Sequence, residues 1–367
     1  MTLSTLAPPR GAVRSRGAVR PPNTVVRSYA ELSAVVREAG LLRRTRGFYL
    51  ALFTSLCVGL LGLGTAFVLL GDSWFQLLVA AGLGVLLTQF AFLAHEAAHR
   101  QVFASGPAND RAGRAIATGI VGISYQWWMS KHSRHHGNPN KLGKDPDIEM
   151  DTISFHEDSA AAQRGWRAAF TRRQGTLFFP LLLLEGLNLH LTSFRTLLER
   201  RPVDGRAREI STILVRCALY AAVVFWLLPV GMAVAFLGVQ LAVFGLYMGA
   251  SFAPNHKGMP IIPADTKLDF FSKQVLTSRN VSGGWRASML LGGLNYQIEH
   301  HLFPSMPRPH LAKARLLVRE HCRATGVPYT ETTLMRSYGI VVRYLNRVGL
   351  AARDPFDCPM MNQLRPR

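Results

Sequence analysis

Long apolar segments separated by short polar connections set the pattern of this chain. Residues 48–70 and 74–94 contain no charged side chain, and each segment is long enough to cross a hydrocarbon core of about 30 Å as an α-helix. Only Gly71, Asp72 and Ser73 lie between them, which predicts a tight helical hairpin. A buried helical pair in a soluble protein is the alternative, and the length of the two segments disfavours it.

A second apolar region covers residues 217–254 and predicts another hairpin, because the Pro-Val-Gly turn at 229–231 divides it. Residues 177–194 form a weaker candidate span, since they contain three polar side chains that are costly in lipid: Glu185, Asn188 and His190. We interpret this segment as an interfacial amphipathic helix. The pattern therefore predicts an all-α integral membrane protein with four transmembrane helices in two hairpins, interfacial helices and a histidine-rich cap on the cytoplasmic side.

The distribution of positive charge orients these hairpins. Of the 367 residues 17% are charged, and 42 Lys and Arg outnumber 22 Asp and Glu, for a net charge of +20. No Lys or Arg occurs in residues 47–94 or 217–255, so both hairpin tips lack positive charge. The positive-inside rule then places both termini and the middle segment in the cytoplasm. The excess charge suits anionic lipid headgroups and requires no nucleic acid, and we expect the plasma membrane of a bacterium.

The cysteines exclude two further kinds of site. The four residues show no C-x-x-C spacing, and two of them lie within apolar stretches: Cys57, Cys217, Cys322 and Cys358. We therefore expect neither a disulfide framework nor a structural zinc site. The first residues carry no signal-peptide apolar region, and we expect residues 2–22 to be disordered.

Eight of the twelve histidines fall in four places along the chain. These are H-E-A-A-H at 95–99, H-S-R-H-H at 132–136, a single histidine at 256 and Q-I-E-H-H at 297–301. Histidines at positions i and i+3 or i+4 share one face of a helix. The two hairpins return the chain to the same side of the membrane each time, so all four places reach one cytoplasmic level. Eight converging imidazoles indicate metal. Packing five of them together without a ligand would cost desolvation energy with nothing to offset it: His132, His135, His136, His300 and His301.

The combined boxes H-x-x-x-H, H-x-x-H-H and Q-x-x-H-H, interleaved with two hairpins, resemble the membrane fatty acid desaturase family. The run Q-I-E-H-H-L-F-P-S-M-P-R is similar to the branch of front-end and linoleoyl-CoA-type desaturases. We take residues 46–325 as the desaturase domain, residues 1–45 as a basic and largely disordered segment, and residues 326–367 as a cytoplasmic tail.

The resemblance implies a centre of two iron ions that uses O2 and two electrons to place a double bond in a fatty acyl chain. The implied ligands are the eight clustered histidines: His95, His99, His132, His135, His136, His256, His300 and His301. Two further residues have open roles. Gln297 is a weak ligand, acts through water or orients a ligand, and His190 is a ninth ligand or approaches the pocket; the alternative for each is an ordinary polar contact. Residues expected to orient the ligands are Glu96, Asn140, Asp145, Asn255 and Glu299, with Asn138 and Asp147 as further candidates. Three aromatic residues either line the mouth of an acyl tunnel or belong to an interfacial belt: Tyr125, Trp127 and Trp128.

The implied partners are a fatty acyl substrate, O2, membrane lipid and a separate electron donor such as ferredoxin with its reductase. The sequence contains no His-Pro-Gly-Gly haem motif and no cysteine cluster for an iron–sulfur centre. The acyl carrier, chain length and double-bond position stay open at this point.

Three other functions compete with this interpretation. A membrane di-iron hydroxylase or oxygenase of lipids would use a similar ligand set. The motif H-E-A-A-H also matches a zinc metalloprotease with Glu96 as general base, although such a site needs only about three protein ligands. A metal transporter or lipid-binding protein would require polar groups within the spans, which carry almost none.

Overall fold

The computed structural model describes residues 22–150, 152–200 and 202–352. The fold is almost entirely helical. The α-helices, in chain order, are α1 (Pro22–Glu38), α2 (Arg46–Leu70), α3 (Gln76–Ala98), α4 (Gly106–Arg114), α5 (Tyr125–Gly137), α6 (Glu157–Ala161), α7 (Gly165–Thr171), α8 (Gln174–Leu198), α9 (Arg206–Leu227), α10 (Val230–His256), α11 (Phe270–Leu276), α12 (Gly284–Leu290), α13 (Gln297–Leu302), α14 (Arg308–Thr325) and α15 (Leu334–Gly349). A π-helix (Ala115–Val121) links α4 to α5, and two short parallel strands, β1 (Asn280–Val281) and β2 (Glu331–Thr332), pair within the cap.

Five of these helices are long and apolar enough to cross a membrane: α2, α3, α8, α9 and α10. The protein is therefore of the multi-pass membrane type. A fifth such helix joins the four predicted spans, because the segment interpreted over 177–194 as an interfacial helix extends over Gln174–Leu198. It is the least apolar of the five, with a mean hydropathy of 1.4 against 2.0 to 2.2 for the others.

The tips of the two predicted hairpins lie together at one end of the molecule. At the first tip the Gln76 side chain donates to the carbonyl oxygens of Phe67 and Gly71, at 2.7 and 2.8 Å. These bonds satisfy backbone groups that the end of α2 leaves without helical partners. A shared apolar cluster then joins the first tip to the second, through Phe67, Val79, Ala80, Val224, Leu228, Met232, Ala233 and Phe236.

Helix α8 does not run to this end. Its first turns contact α15, where the backbone of Thr176 donates to the Asn346 side chain. Near its last turn, Ser193 Oγ accepts from the backbone N–H of Ser124, which precedes α5. The first turn of α9 lies beside the same residue, since its Glu209 accepts from Ser124 Oγ at 2.6 Å. Both ends of α8 therefore contact elements on the histidine side.

Glycines let α8 and α10 cross closely. A Cβ atom added at Gly186 would overlap the Leu241 carbonyl oxygen, and one added at Gly245 would overlap the backbone of Gly186. Small residues at helix crossings in membranes permit such backbone approach. This crossing places the His256 end of α10 beside the first half of α8, where the cavity described below opens.

The cap has an apolar core of its own, which joins α1, α11, α13 and α14. Leu32 and Val36 of α1 are buried in it, so the expectation of a largely disordered 1–45 segment was wrong for Pro22–Glu38; residues 1–21 lie outside the described part. Helix α15 also differs from the expected tail at 326–367, because its Val341 and Leu345 are fully buried in a cluster with α8 and α10.

Candidate metal centre

Four helix ends bring the histidines together. His95 belongs to the last turn of α3 and His99 follows it directly, His132 to His136 lie on α5, His256 ends α10, and His300 and His301 lie on α13. Helix α5 starts where it does because Ser124 Oγ accepts from the backbone N–H of Trp127 at 3.1 Å, as an N-cap residue should. The eight histidines predicted from the sequence all meet in this region, and they divide into a group of five and a group of three.

The group of five contains His95, His99, His132, His136 and His300. His132 Nε2 lies 3.1 Å from His95 Nε2 and 2.8 Å from His99 Nε2. Two metal–nitrogen bonds of about 2.1 Å at right angles would put their nitrogens about 3 Å apart. Imidazole nitrogens this close share either a proton or an ion, and the spacing suits an ion.

The group of three contains His135, His256 and His301. His135 Nε2 and His256 Nε2 are 3.3 Å apart. The Nδ1 atoms point away from each other: His256 Nδ1 donates to the Thr277 carbonyl oxygen and His301 Nδ1 to Gln274 Oε1, each at 2.9 Å. Both rings therefore carry their proton on Nδ1, which leaves the Nε2 lone pairs facing the centre of the group.

A carboxylate pair orients the remaining ring of this group. His135 Nδ1 lies 3.0 Å from Asp145 Oδ1 and 3.4 Å from Asp147 Oδ2. Burial lowers the pKa of His135, but these two carboxylates more than compensate and raise it above its ordinary value. Asp147 is also paired with Lys131 at 2.9 Å. A ligand histidine whose second nitrogen donates to a carboxylate is the usual arrangement at metal sites.

The other rings are neutral and need a ligand. Burial lowers the pKa of His99 to about 3 and the pKa values of His136 and His300 well below the ordinary value, so these rings hold no charge at neutral pH. Both nitrogens of His136, and Nε2 of His300 and His301, are buried without a hydrogen-bond partner. Unsatisfied buried nitrogens are costly, and coordination to metal ions would satisfy them. The residues therefore fit a pair of metal ions.

The two uncertain ligands differ in their surroundings. Gln297 Nε2 lies 2.9 Å from His256 Nε2, so its amide stands beside the group of three. Both ring nitrogens of His190 instead face carbonyl oxygens, those of Gly186 and Val121. His190 belongs to neither histidine group, and its two carbonyl contacts fit the ordinary polar role among the alternatives given above.

Only some of the residues expected to orient the ligands contact the histidine groups. Asn140 holds the group of three, because its backbone N–H donates to Asp145 Oδ2 and its side chain to the carbonyl oxygen of His256. Asn255 Nδ2 donates to Gln297 Oε1 at 3.2 Å. The contacts of Asp145, Asn140 and Asn255 thus suit the predicted role.

Glu96 and Glu299 contact no ligand ring. Both oxygens of Glu96 accept from Arg308, with Nε–Oε1 at 2.7 Å, and both residues are buried. Glu299 accepts from Asn280 Nδ2 and from Tyr329 OH, and burial raises its pKa to about 7. The expectation that these carboxylates orient the ligand rings directly was wrong, since their partners come from segments more distant in the sequence.

Sequence reasoning missed three residues around the site: Gln274, Thr277 and Arg308. Gln274 is fully buried and connects the two groups, because it accepts from His301 Nδ1 and donates to the His136 carbonyl oxygen. Gln274 and Thr277 stand about twenty residues before the last box, at no spacing that marks a ligand partner. Arg308 does follow that box closely, and a single arginine in an apolar P-S-M-P-R-P run was the available signal.

A cavity of about 410 Å³ opens beside the centre, between α5, α8 and α10. Side chains from both histidine groups reach it, namely His132, His135 and His256, and Gln297 lies beside them in the wall. The Trp128 ring stacks on His132 with centroids 4.3 Å apart. Of the three aromatic candidates, Trp127 and Trp128 line the cavity, whereas Tyr125 hydrogen-bonds to Asp110 instead. The rest of the wall is mainly apolar and includes Ile153, Phe155, Phe178, Leu182, Leu189, Met248 and Phe252.

Comparison with known proteins decides the family. The model of the fatty acid desaturase family matches residues 72–333. The chain belongs to this family. It is 28% identical to Delta(8)-fatty-acid desaturase 2 of Arabidopsis thaliana over 93% of this chain and 78% of the relative. It is 30% identical to an acyl-lipid (9-3)-desaturase of Borago officinalis over 74% and 63% of the two chains, and 26% identical to Delta(6)-fatty-acid desaturase fat-3 of Caenorhabditis elegans over 88% and 75%.

The protein is therefore a fatty acid desaturase, an oxidoreductase, and the zinc protease alternative loses its support. A general base must reach the proton it abstracts, whereas both oxygens of Glu96 are occupied by the buried Arg308 guanidinium. The histidines of the desaturase instead face an apolar cavity suited to an acyl chain.

Proposed function

We propose that this desaturase holds two iron ions, one in each histidine group, and uses them on an acyl chain bound in the adjoining cavity. The observation that carries the proposal is the division of eight imidazoles into two neighbouring groups that both open into one apolar cavity. Bound iron would supply the redox chemistry with dioxygen that side chains lack. In this reaction one CH2–CH2 pair, O2, two electrons and two protons give one CH=CH pair and two molecules of water.

The protein's own contribution is to position the substrate. A methylene pair that lies against His132 on one side and His256 or Gln297 on the other would be next to both groups. Fixing reactive atoms in this way replaces an improbable encounter with a bound geometry. Gln297 would stand at the boundary between the group of three and the substrate, because it is within 2.9 Å of His256 Nε2 and also lines the cavity.

We infer the substrate class from the names of the relatives. Their names describe desaturases that act on fatty acids at Delta(8) or Delta(6), or on acyl lipids. We infer that this chain acts at a position counted from the carboxyl end of a long-chain acyl group on a lipid or coenzyme A carrier. A charged cluster at one side of the cavity, formed by Lys131, Asp147 and Lys257, would face the polar end of such a substrate.

Electrons would come from a separate one-electron carrier, such as ferredoxin with its reductase. The sequence contains neither a His-Pro-Gly-Gly haem motif nor a cysteine cluster for an iron–sulfur centre.

Four of the five apolar helices would cross the membrane. Helices α2, α3, α9 and α10 connect the histidine side to the clustered tips, whereas both ends of α8 contact elements on the histidine side. An oblique α8 at the interface also accounts for its Glu185 and Asn188, which line the cavity. The absence of Lys and Arg from both tips supports cytoplasmic termini and a cytoplasmic metal centre. A bacterial plasma membrane stays a prediction; the relatives named above come from plants and a nematode.

Expression in a host with a simple, saturated fatty acid profile tests the proposed reaction. Total fatty acids and separated lipid classes are analysed by gas chromatography with mass spectrometry. We expect a new double bond that disappears in the variant His135→Ala/His136→Ala and persists in the matched control His156→Ala, whose ring only caps α6.

The products separate the alternatives. A new double bond at one position, with iron bound to the purified protein, supports the proposal. An oxygenated fatty acid would make the protein a hydroxylase, and a product that survives in the double variant would exclude the histidine groups from the reaction.

A further inference from the structure

We propose that an acidic one-electron carrier protein docks on a surface formed by Lys141, Lys144 and Lys273, which we call the lysine surface. This inference rests on the proposed function, because it concerns the electrons that the reaction consumes. The lysine surface belongs to the cap, and two different segments present it: the loop after α5 carries Lys141 and Lys144, and α11 carries Lys273.

The surface is held in place by backbone contacts. Lys273 Nζ donates to the Gly137 carbonyl oxygen at 2.6 Å, and Lys141 Nζ donates to the Thr266 carbonyl oxygen at 2.8 Å. The loop itself is fixed to the segment after α10, because the backbone of Leu142 donates to Ile262. Two of the three positive charges are thus held in place, and the exposed Lys144 lies on the same loop as Lys141.

The three ammonium groups lie near one another and carry no acidic partner. Burial, and then the positive charges of Lys141 and Lys144, lower the pKa of Lys273. Within the described residues none of the three forms an ion pair with a carboxylate. Glu149 and Asp269 on the same segments accept from the backbone N–H groups of Gly143 and Ser272, and the exposed Asp265 lies beside Thr266; none of the three forms an ion pair with these lysines within the described residues. The surface therefore attracts anions.

The lysine surface is connected to a ligand histidine of each group through one intervening residue. Gly137, which accepts from Lys273, follows His136 in the chain. Gln274, which follows Lys273, accepts from His301 Nδ1 and donates to the carbonyl oxygen of His136. A carrier seated on Lys273 would thus be connected to His136 of the group of five and His301 of the group of three by covalent bonds and single hydrogen bonds. Two successive carriers would each deliver one electron there.

A protein partner fits this surface better than lipid. Phe271 and Val275 of α11 are buried in the core of the cap, so Lys273 faces outward from the cap and not from the spanning helices. Leu268 and Phe270 are exposed to 39% and 43% beside it. Apolar side chains within a charged rim are typical of protein interfaces. Complementary charge across such an interface accelerates association, and salt weakens the effect.

The test uses the full chain, loaded with iron, in nanodiscs of neutral phosphatidylcholine, with an acidic [2Fe–2S] ferredoxin as the probe. The variants are Lys144→Glu and Lys141→Glu/Lys144→Glu. The matched control is Lys313→Glu, which makes the same charge change on an exposed residue of α14 in the same cap. Anaerobic stopped-flow mixing gives the rate at which reduced ferredoxin is oxidised, and surface plasmon resonance gives its binding without turnover. Reduction by dithionite is measured in parallel.

We expect the double variant to lose about tenfold or more in the second-order rate with ferredoxin at low salt, with a flatter salt dependence. Ferredoxin binding should weaken in parallel, while reduction by dithionite and iron content stay unchanged. The control should match the wild type.

Equal ferredoxin binding and rates in the double variant and the wild type would overturn the docking site and leave the proposed function intact. Unchanged ferredoxin binding with weaker binding to phosphatidylserine vesicles would instead assign the surface to lipid. A wild-type protein that binds no iron and forms no double bond would refute the proposed function, whereas the ferredoxin binding measurement would still decide the docking site.

Discussion

The three imidazole rings of the smaller histidine group all form a hydrogen bond through the same ring nitrogen. Each uses Nδ1 for a protein partner, namely Asp145 for His135, the Thr277 carbonyl for His256 and Gln274 for His301. A partner on Nδ1 fixes both the orientation of the ring and the position of its proton, which leaves Nε2 for metal. Residues of quite different chemistry thus perform the same task, because a carboxylate, a backbone carbonyl and an amide oxygen are all acceptors.

The variant Gln274→Leu tests whether the hydrogen bond to His301 Nδ1 is needed for metal binding. Without Gln274, His301 Nδ1 and the His136 carbonyl oxygen both lose a buried hydrogen bond. Loss of such a partner weakens metal affinity by about 10- to 100-fold. Iron content after titration with a chelator measures the effect, and Gln163→Leu, outside both groups, is the control. Full iron retention in Gln274→Leu would show that the ring is oriented without it.

The Glu96–Arg308 pair holds the first histidine box against the segment that follows the last one. Removing one partner leaves the other charge buried without compensation, which costs about 3–5 kcal/mol. We expect Arg308→Met to lower the free energy of unfolding in detergent by roughly this amount, and Glu96→Leu/Arg308→Met to recover part of it.

The exposed pair Arg323–Glu320 supplies the control for this experiment. Because solvent screens such pairs, Arg323→Met should change the free energy of unfolding by less than about 1 kcal/mol. Equal effects of the two arginine variants would contradict a structural role for the buried pair.

At the scale of helices, close packing decides where the cavity lies. Helix α10 approaches α3 at Gly84 and α8 at Gly186 and Gly245, where any larger residue would meet backbone atoms. Toward the histidines the two helices stay in contact through the Leu182 side chain, which would meet a Cβ atom added at Gly249. The cavity lies beside this contact, since both residues line it. Phe178 of α8 and Phe252 of α10 form part of the wall that results.

The variant Gly245→Ala tests this crossing. The control is Gly238→Ala on the same helix, because a Cβ atom added there meets nothing within 4 Å. The first methyl group would overlap α8 and force the helices apart, at a cost of roughly 1–3 kcal/mol or more. We expect a lower thermal unfolding midpoint and less desaturated product for Gly245→Ala only. Equal midpoints for the two variants would mean that the crossing is looser than the distances indicate.

At the scale of the whole molecule, the direction of α8 decides the topology. An odd number of crossings would place the two termini on opposite sides of the membrane, whereas α1 and α15 both pack on the histidine side. Helix α8 is long and apolar enough to span, yet its contacts at both ends fall on one side. The four crossings proposed above would reconcile these observations.

Reporter fusions in a bacterial host test the crossing number. Alkaline phosphatase, which is active only outside the cytoplasm, should be active when fused after Asp72 and inactive when fused after Arg200. A green fluorescent protein fused after Arg367 should fluoresce. An active phosphatase after Arg200 would mean that α8 crosses the membrane and that five spans are present.

The sequence by itself determined the elements and the identity of the histidines that meet. Apolar length defines a membrane helix and a spacing of three or four residues defines a helix face, and both are local properties of the chain. Residues 48–70 and 74–94 therefore predicted their helices closely, and the four histidine places predicted one centre. Helix α8 was harder to classify, because its Glu185, Asn188 and His190 argue against a span only while their surroundings are unknown.

Only the tertiary structure decided how these parts are used. The division of the histidines into five and three depends on contacts between α3, α5, α10 and α13, whose geometry no local pattern contains. The same holds for Glu96, whose partner Arg308 lies 212 residues away, and for His190, whose ring faces two backbone carbonyls. A buried polar group takes whichever partner the packed helices bring within hydrogen-bonding distance, and that partner is a property of the fold.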